Sequence, residues 1–354
     1  RGLGDVYKRQ VPMRFIKHVY RIHTYAQDGR LFEGKTPVSA FLNSSYDGSF
    51  IAGLMELRYI QSLPVERIIN YFESHGFTLK KPTAHKLMEK ASSLFENLYK
   101  CIRQTALGDP YKAADETYYK ILVPEKNSKG KGVRKGYLWV VVGINTRMIY
   151  LLYDDGSRSE KVILNELGGC KGIIQSDGYS PYRKLESDAY PHITRIPCLQ
   201  HIKRKFIDCG EDEPDAKRIV ELINTLYQNE HKHKIGVDGW TVEQNLVHRK
   251  KYAPDILGEI KDVLDDIEER GDLLPKSELK EAVTYLRNEW NAVVDIFNYG
   301  DTYLDNNIVE RMNRYISLSR KNSLFFGSHK GAERGAILYT ICLLYTSDAA
   351  DDTP

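Results

Sequence analysis

The 354 residues carry 51 lysines and arginines against 48 aspartates and glutamates, a formal net charge of +3, so a polyanionic partner would have to be met by local clusters of cations. Five scattered cysteines in a chain of this length exclude a disulfide framework and point to a reduced, intracellular setting. The longest apolar runs, near residues 138–142 and 148–153, are too short to cross a membrane.

The two ends stand apart from the rest. Residues 5–10 can be encoded by GATGTGTATAAGAGACAG, and residues 342–347 by its reverse complement shifted by one base. Segments 1–10 and 342–354 therefore read as translated flanking DNA, and the protein proper is expected to occupy Val11 to Ile341. Residues 11–108 read as a helical region. Ile51, Leu54, Met55 and Leu57 recur at helical spacing, Leu63-Pro64 starts a second helix reaching Phe72, and Pro82-Thr83 opens a third. The short helix, the turn at Gly76 and the helix entered through Lys80 and Lys81 fit a helix-turn-helix DNA reader or a plain helical bundle equally well.

The period then changes from helix to strand. Residues 111–123, 137–144 and 148–153 are rich in Val, Ile and Tyr, with a short hairpin connection at Asn145-Thr146. A crossover helix over 159–167 follows, then strands at 172–176 and 193–199. Antiparallel strands followed by strand-helix-strand units predict an α/β fold with a mixed five-stranded sheet and flanking helices, the order of the ribonuclease H-like fold. Its first part covers 109–210. A helical insertion over 211–300, punctuated by Pro254, Gly271 and Pro275, separates it from a last core helix within 301–341.

Three acids carry the candidate chemistry. Asp115 lies mid-strand against local propensity, which marks either a functional residue or a solvent-facing charge. Glu116 faces the opposite side of the strand. Asp177 ends an apolar strand, where ligand sites gather in open sheets, although Asp177-Gly178 also suits a simple turn. Glu310 sits on a predicted helix with Asn306 and Arg314 four residues away on its face, while Asn307 to Glu310 also satisfies a capping box. Basic residues cluster at 126–135, 201–205 and 311–334. Glycines in the first of these suggest a mobile, solvated loop.

Five ordered motifs resemble the insertion sequence 66 family of transposases: Asp115-Glu116-Thr117, Ser176-Asp177-Gly178-Tyr179, Cys198 to Phe206, Leu274-Pro275-Lys276-Ser277 with Ala282 and Tyr285, and Asn306-Asn307-Ile308-Val309-Glu310-Arg311. The resemblance implies an Asp-Asp-Glu transposase in which Asp115, Asp177 and Glu310 are catalytic and hold two Mg2+ or Mn2+ ions. It implies cleavage at the terminal inverted repeats of a mobile element and strand transfer into target DNA. DNA contacts are expected from His201, Lys203, Arg204, Lys205, Asn306, Asn307, Arg311, Arg314, Arg320 and Lys321, with phosphates as the targets of the cations. A homo-oligomer on DNA, accessory proteins of the element and a bacterial, nucleoid-associated cytoplasmic location are further implications. A catalytically silent DNA-binding derivative and a structure-selective nuclease of the same fold are the alternatives. Cys198 and His201 have metal-like spacing, but with only Cys209 nearby no zinc is assigned. A buried Cys198 with His201 on a DNA phosphate is preferred, beside a purely structural histidine. The segment from Tyr20 to Gly29 lacks cysteine, so no zinc module is expected there either.

Overall fold

A computed structural model describes residues 13–35, 39–42, 44–126, 130, 132–271 and 273–349, without side chains for 345–349. The region expected to be helical begins instead with a hairpin, β1 (Thr24–Gln27) and β2 (Arg30–Glu33), exposed along both strands. Asp28 and Gly29 turn it, with φ of 50° and 74°, the left-handed pair that a two-residue hairpin loop demands. Helix α1 (Gly48–Met55) is capped by Asp47, whose carboxylate accepts from Phe50 N at 2.9 Å. A π turn over Glu56–Ile60 carries the buried Arg58. Helices α2 (Val65–Ser74), with Pro64 as its N-cap, and α3 (Lys81–Leu94), with Pro82 in its first turn, follow as anticipated. Helix α4 (Glu96–Gly108) then presents Ile102 and Ala106 to the sheet.

The sheet consists of β3 (Tyr111–Leu122), β4 (Val133–Gly143), β5 (Ile149–Leu152), β6 (Gly172–Ser176) and β7 (Ile193–Pro197), in the order β5-β4-β3-β6-β7. The first three form an antiparallel meander, and β6 and β7 add in parallel beside β3. This is a ribonuclease H-like α/β fold. Strand β4 starts at Val133, earlier than its composition suggested. Arg134 and Lys135 disguise it, but the ladder to β3 runs on to Leu122 opposite Val133. Helix α5 (Glu160–Leu167) makes the crossover expected between β5 and β6. The short helix α6 (Ser180–Arg183) and a 3-10 turn, Lys184–Glu186, link β6 to β7. Residues 127–129 and 131 of the glycine-containing basic segment lie outside the described residues.

After β7 come α7 (Leu199–Ile207) and the insertion helices α8 (Pro214–Glu230), α9 (Val242–Arg270) and α10 (Glu278–Ile296). Gly271 ends α9 at φ 65°, and the Ser277 side chain caps α10. Pro254, read from sequence as punctuation, lies inside α9 without ending it. Buried Ala253, Ile256, Leu257 and Ile260 around it pack into the insertion core, which outweighs the lost hydrogen bond. Helices α11 (Asn307–Asn322) and α12 (His329–Ala349) complete the chain. α12 continues through the segment assigned from its coding pattern to flanking DNA, and Leu343 is buried there.

Side-chain alternation divides the core. Ala113, Val140 and Val142 face α11, α12 and the N-terminal helices. Ala114, Trp139 and Val141 face α4 and α5. A third cluster joins α7 to the insertion and reaches Tyr111 and Ile173. Among the described residues no helix is long and apolar enough to cross a membrane.

Candidate active site

The parallel register of β3 and β6 pairs Tyr111 with Ile173 and Ala113 with Gln175. Asp115 and Asp177 are each two residues further on, so they leave neighbouring strands on one face of the sheet, at the carboxyl end of β6. Asp115 Oδ2 accepts from Asn313 Nδ2 at 2.6 Å, and Oδ1 accepts from Glu116 N at 2.8 Å. Burial, reinforced by the negative charges of Glu116 and Asp177, pushes the Asp115 carboxyl up to about 8. Asp177 caps its own loop, accepting from Tyr179 N at 3.1 Å. Glu116 points to the other face, where Arg158 grips it at 2.6 and 3.0 Å through Nη2 and Nε.

Glu310 comes from α11. The alternative capping box is absent: Asn306 is the N-cap and its side chain makes no cap bond, while Asp305 Oδ1 accepts from Asn307 N at 3.1 Å. Asn306 is buried instead, donating Nδ2 to Ala114 O at 3.1 Å and its backbone N to Cys198 Sγ at 3.3 Å. These bonds pin the start of α11 to β3 and to the end of β7. Asn313, three residues beyond Glu310 on the same face, meets Asp115. The Glu310 carboxylate leans towards α7, with Oε1 3.8 Å from His201 Nδ1. Among the described residues, one trio of metal-ligating side chains has all its ligand atoms within 4.8 Å of one another: Cys198, His201 and Glu310. Thus, among the described residues, Asp115 and Asp177 form one pair, and Glu310 groups with Cys198 and His201 rather than with the two aspartates. Cys209, the sequence's third candidate for that motif, donates to Lys205 O at the far end of α7. Burial pushes the Cys198 thiol up to about 11, which suits a packed thiol accepting a backbone bond better than a thiolate ligand.

Glu310 Oε1, His201 Nδ1, Asn313 Oδ1 and Asn306 Oδ1 are all buried and lack a hydrogen-bond partner. An orphaned carboxylate oxygen, with three further orphaned polar atoms on α7 and at and along α11, would suit a hard cation and its water. Asp115 and Asp177 themselves offer carboxylate oxygens, the ligand type that Mg2+ or Mn2+ prefers.

A cleft of about 330 Å3 opens beside Asp177, lined by Arg158, Tyr179, His201, Arg204, Lys205 and Tyr285, among others. Of the residues expected to bind DNA, His201, Arg204 and Lys205 thus line the cleft with Asp177, while Lys203 on the same helix does not. Asn307, Arg311, Arg314 and Lys321 are exposed along α11. Arg320 is engaged within the fold, donating Nη1 to Thr117 Oγ1 and Tyr118 O at 3.1 and 3.0 Å.

A supporting layer joins the Asp177 loop to the insertion. Tyr285 on α10 accepts from Gly178 N at 2.8 Å, and a Cβ on Gly178 would lie 2.4 Å from that hydroxyl. Arg195 on β7 is fully buried, donates Nη1 to Asp177 O at 3.0 Å, and pairs with Glu289 and Glu186. Sequence reasoning singled out Tyr285 but gave it no task, and missed Asn313, Arg195 and Glu289. The apolar stripe Val309, Met312 and Ile316 was the available signal for Asn313, since it turns that side of α11 to the sheet and leaves Arg314 outside.

Comparison with known proteins adds the decisive finding. The model of the transposase IS66 family matches residues 43–334. The chain belongs to that family. Among its relatives in Sinorhizobium fredii, the uncharacterized protein y4jD is 26% identical over 304 residues, 82% of this chain and 57% of that protein. The uncharacterized proteins y4hP and y4qI are 22% and 25% identical, each over 94% of this chain and 62% of their own length. The IS66-family chain therefore spans about three-fifths of the length of these relatives. All five sequence motifs lie within the matched region.

Proposed function

We propose that the protein cuts DNA at the ends of a mobile element and joins the freed 3′ ends to target DNA. The observation that carries this reading is the carboxylate pair Asp115 and Asp177, side by side on one face of parallel strands, where burial and the neighbouring negative charges raise the Asp115 carboxyl and a cation would relieve them. Asp115, Asp177 and Glu310 would hold Mg2+ or Mn2+, two ions being the number that suits in-line phosphoryl displacement. Such ions, when bound, lower the pKa of the attacking water or hydroxyl and stabilise the leaving oxygen.

The chain's own residues have separate tasks. Asn313 fixes the Asp115 carboxylate in one orientation. Arg195 and Tyr285 hold the backbone on either side of the Asp177–Gly178 peptide. Arg204 and Lys205, exposed at the cleft rim, would neutralise the phosphates flanking the cut and so add affinity without sequence choice. His201, beside Glu310 and half-buried, would steady that carboxylate as it takes up its position. The element's inverted repeats, a homo-oligomer on DNA and accessory proteins of the element complete the reading, in a bacterial cytoplasm.

The test is strand cleavage and joining by the full-length protein on DNA bearing the element's ends, with Mg2+ or Mn2+. Asp177→Asn keeps the shape and loses the charge, so it should abolish both reactions while binding to the ends persists. Cleavage that survives substitution of each acid in turn would overturn the mechanism. Binding without cleavage in the unsubstituted protein would establish a silent DNA binder instead.

A further inference from the structure

Beyond the cleft, the sheet carries a run of rings and cations that no step of the proposed reaction uses. Tyr118 on β3 and Tyr137 on β4 are directly paired across the strands. The Arg320 guanidinium lies 4.1 Å from the centre of the Tyr118 ring. The Lys135 ammonium lies 4.4 Å from the Tyr118 centre and 5.4 Å from that of Tyr137. Arg158 continues the run, 5.1 Å from the Tyr137 centre and 4.2 Å from that of Tyr179. Arg158 and Tyr179 then form part of the wall of the cleft that holds Asp177.

We propose that this row is a track for a single-stranded stretch of DNA leading into the acid cleft. The proposal rests on the DNA-cutting reading above and adds to it the form of the substrate. Exposed cation–ring pairs are individually weak, so packing alone gives little reason to line up three cations on one surface. A single strand alternates flat bases with phosphates, and rings alternating with cations match both. A duplex hides its base faces and would use only the charges. The cations are not equivalent. Arg158 is already neutralised by Glu116, and Arg320 is tied to Thr117 and Tyr118, so both act mainly as fixed planes on which a base can stack. Lys135 is exposed and pairs with no carboxylate among the described residues, which leaves it to meet a phosphate. Because Tyr179 donates its hydroxyl to Arg158 O at 3.1 Å, the final ring is held beside the Asp177 loop. The track, on the Glu116 face of the sheet, therefore delivers a strand to the loop that carries Asp177.

The experiment is fluorescence anisotropy with two labelled probes, a blunt duplex and the same duplex extended by a single-stranded tail of about ten nucleotides. For the unsubstituted protein the tail is expected to tighten binding by about tenfold or more, the effect of stacking one or two bases. Tyr118→Ala combined with Tyr137→Ala should erase that gain and leave the blunt duplex within about twofold. Lys135→Ala, an exposed change that leaves the fold intact, should reduce the salt slope by about one for the tailed probe alone. No gain from the tail in the unsubstituted protein, or equal loss on both probes in the variants, would overturn the track while leaving duplex cutting possible. Failure of the unsubstituted protein to bind either probe would remove the DNA reading itself.

Discussion

Replacing Asp115 by asparagine is expected to make the metal-free protein more stable while destroying its activity. At pH 7 the folded chain keeps this carboxyl largely protonated, at about 8 against an ordinary value of 3.8. Holding that proton between 3.8 and 7 costs about 4 kcal/mol, and allowing for water entry into the cleft leaves a gain of about 1–3 kcal/mol for a side chain that never ionises. The geometry accommodates the change. The amide retains one oxygen, and Asn313, whose Oδ1 has no partner, can turn its own amide to accept from the new NH2 group. Because the folded-state value is raised, this group's contribution to stability is fully present below 3.8 and is lost as pH climbs to about 8. The advantage of Asp115→Asn should therefore widen from about pH 5 to about pH 8, reaching about 2–6 °C in Tm. Thermal melts in a chelator across that range measure it directly. Excess Mg2+ displaces the proton in the parent and should raise its Tm, with little effect on the variant. A variant less stable than its parent at pH 8 in chelator, or equal stabilisation of both by Mg2+, would refute the reasoning.

Gly178→Ala should cost about 1–3 kcal/mol, because its Cβ would collide with the Tyr285 hydroxyl; combined with Tyr285→Ala the loss should fall well short of the sum, as a double-mutant melt would report. Arg195→Met strips the buried partner from Glu289 and should destabilise by about 3–5 kcal/mol in urea titrations. Adding Glu289→Leu should recover much of that stability without restoring cleavage, since the bond to Asp177 O remains lost. Asn313→Ala should leave the fold intact and raise the Mg2+ concentration needed for half-maximal cleavage, because the Asp115 carboxylate loses its orienting donor.

The Asp115–Asp177 pairing was legible through the strand order of the expected ribonuclease H-like fold, which sets the first and fourth strands side by side; alternation along each strand then puts both acids on one face. The hairpin at Asp28-Gly29 carried a readable turn signal, but its strands bury no face and so show no alternating pattern. Arg314 was favoured over Asn313 because spacing from Glu310 alone does not fix the rotation of α11; the buried Val309, Met312 and Ile316 fix it. Arg195 with Glu289 and Gly178 with Tyr285 are 94 and 107 residues apart. No local pattern encodes such partners, and only the docking of α10 against β7 creates them.

Strand β3 depends on residues made long after it. Ala114, Asp115 and Thr117 are bonded to Asn306, Asn313 and Arg320, at separations of 192, 198 and 203 residues. At a translation rate of about 5–20 residues per second, Asp115 waits roughly 10–40 s on the ribosome before its helix is made. The intervening helices α8, α9 and α10 share one core with α7 and with Tyr111, Ile173 and Ile196 of the sheet, so sheet and insertion can assemble during that wait and leave α11 to dock across them. An interrupted chain ending before residue 306 would carry both strand acids and the basic end of α7, yet no assembled trio. Until α11 is made, β3 lacks both the donor that orients Asp115 and the helix that carries Glu310.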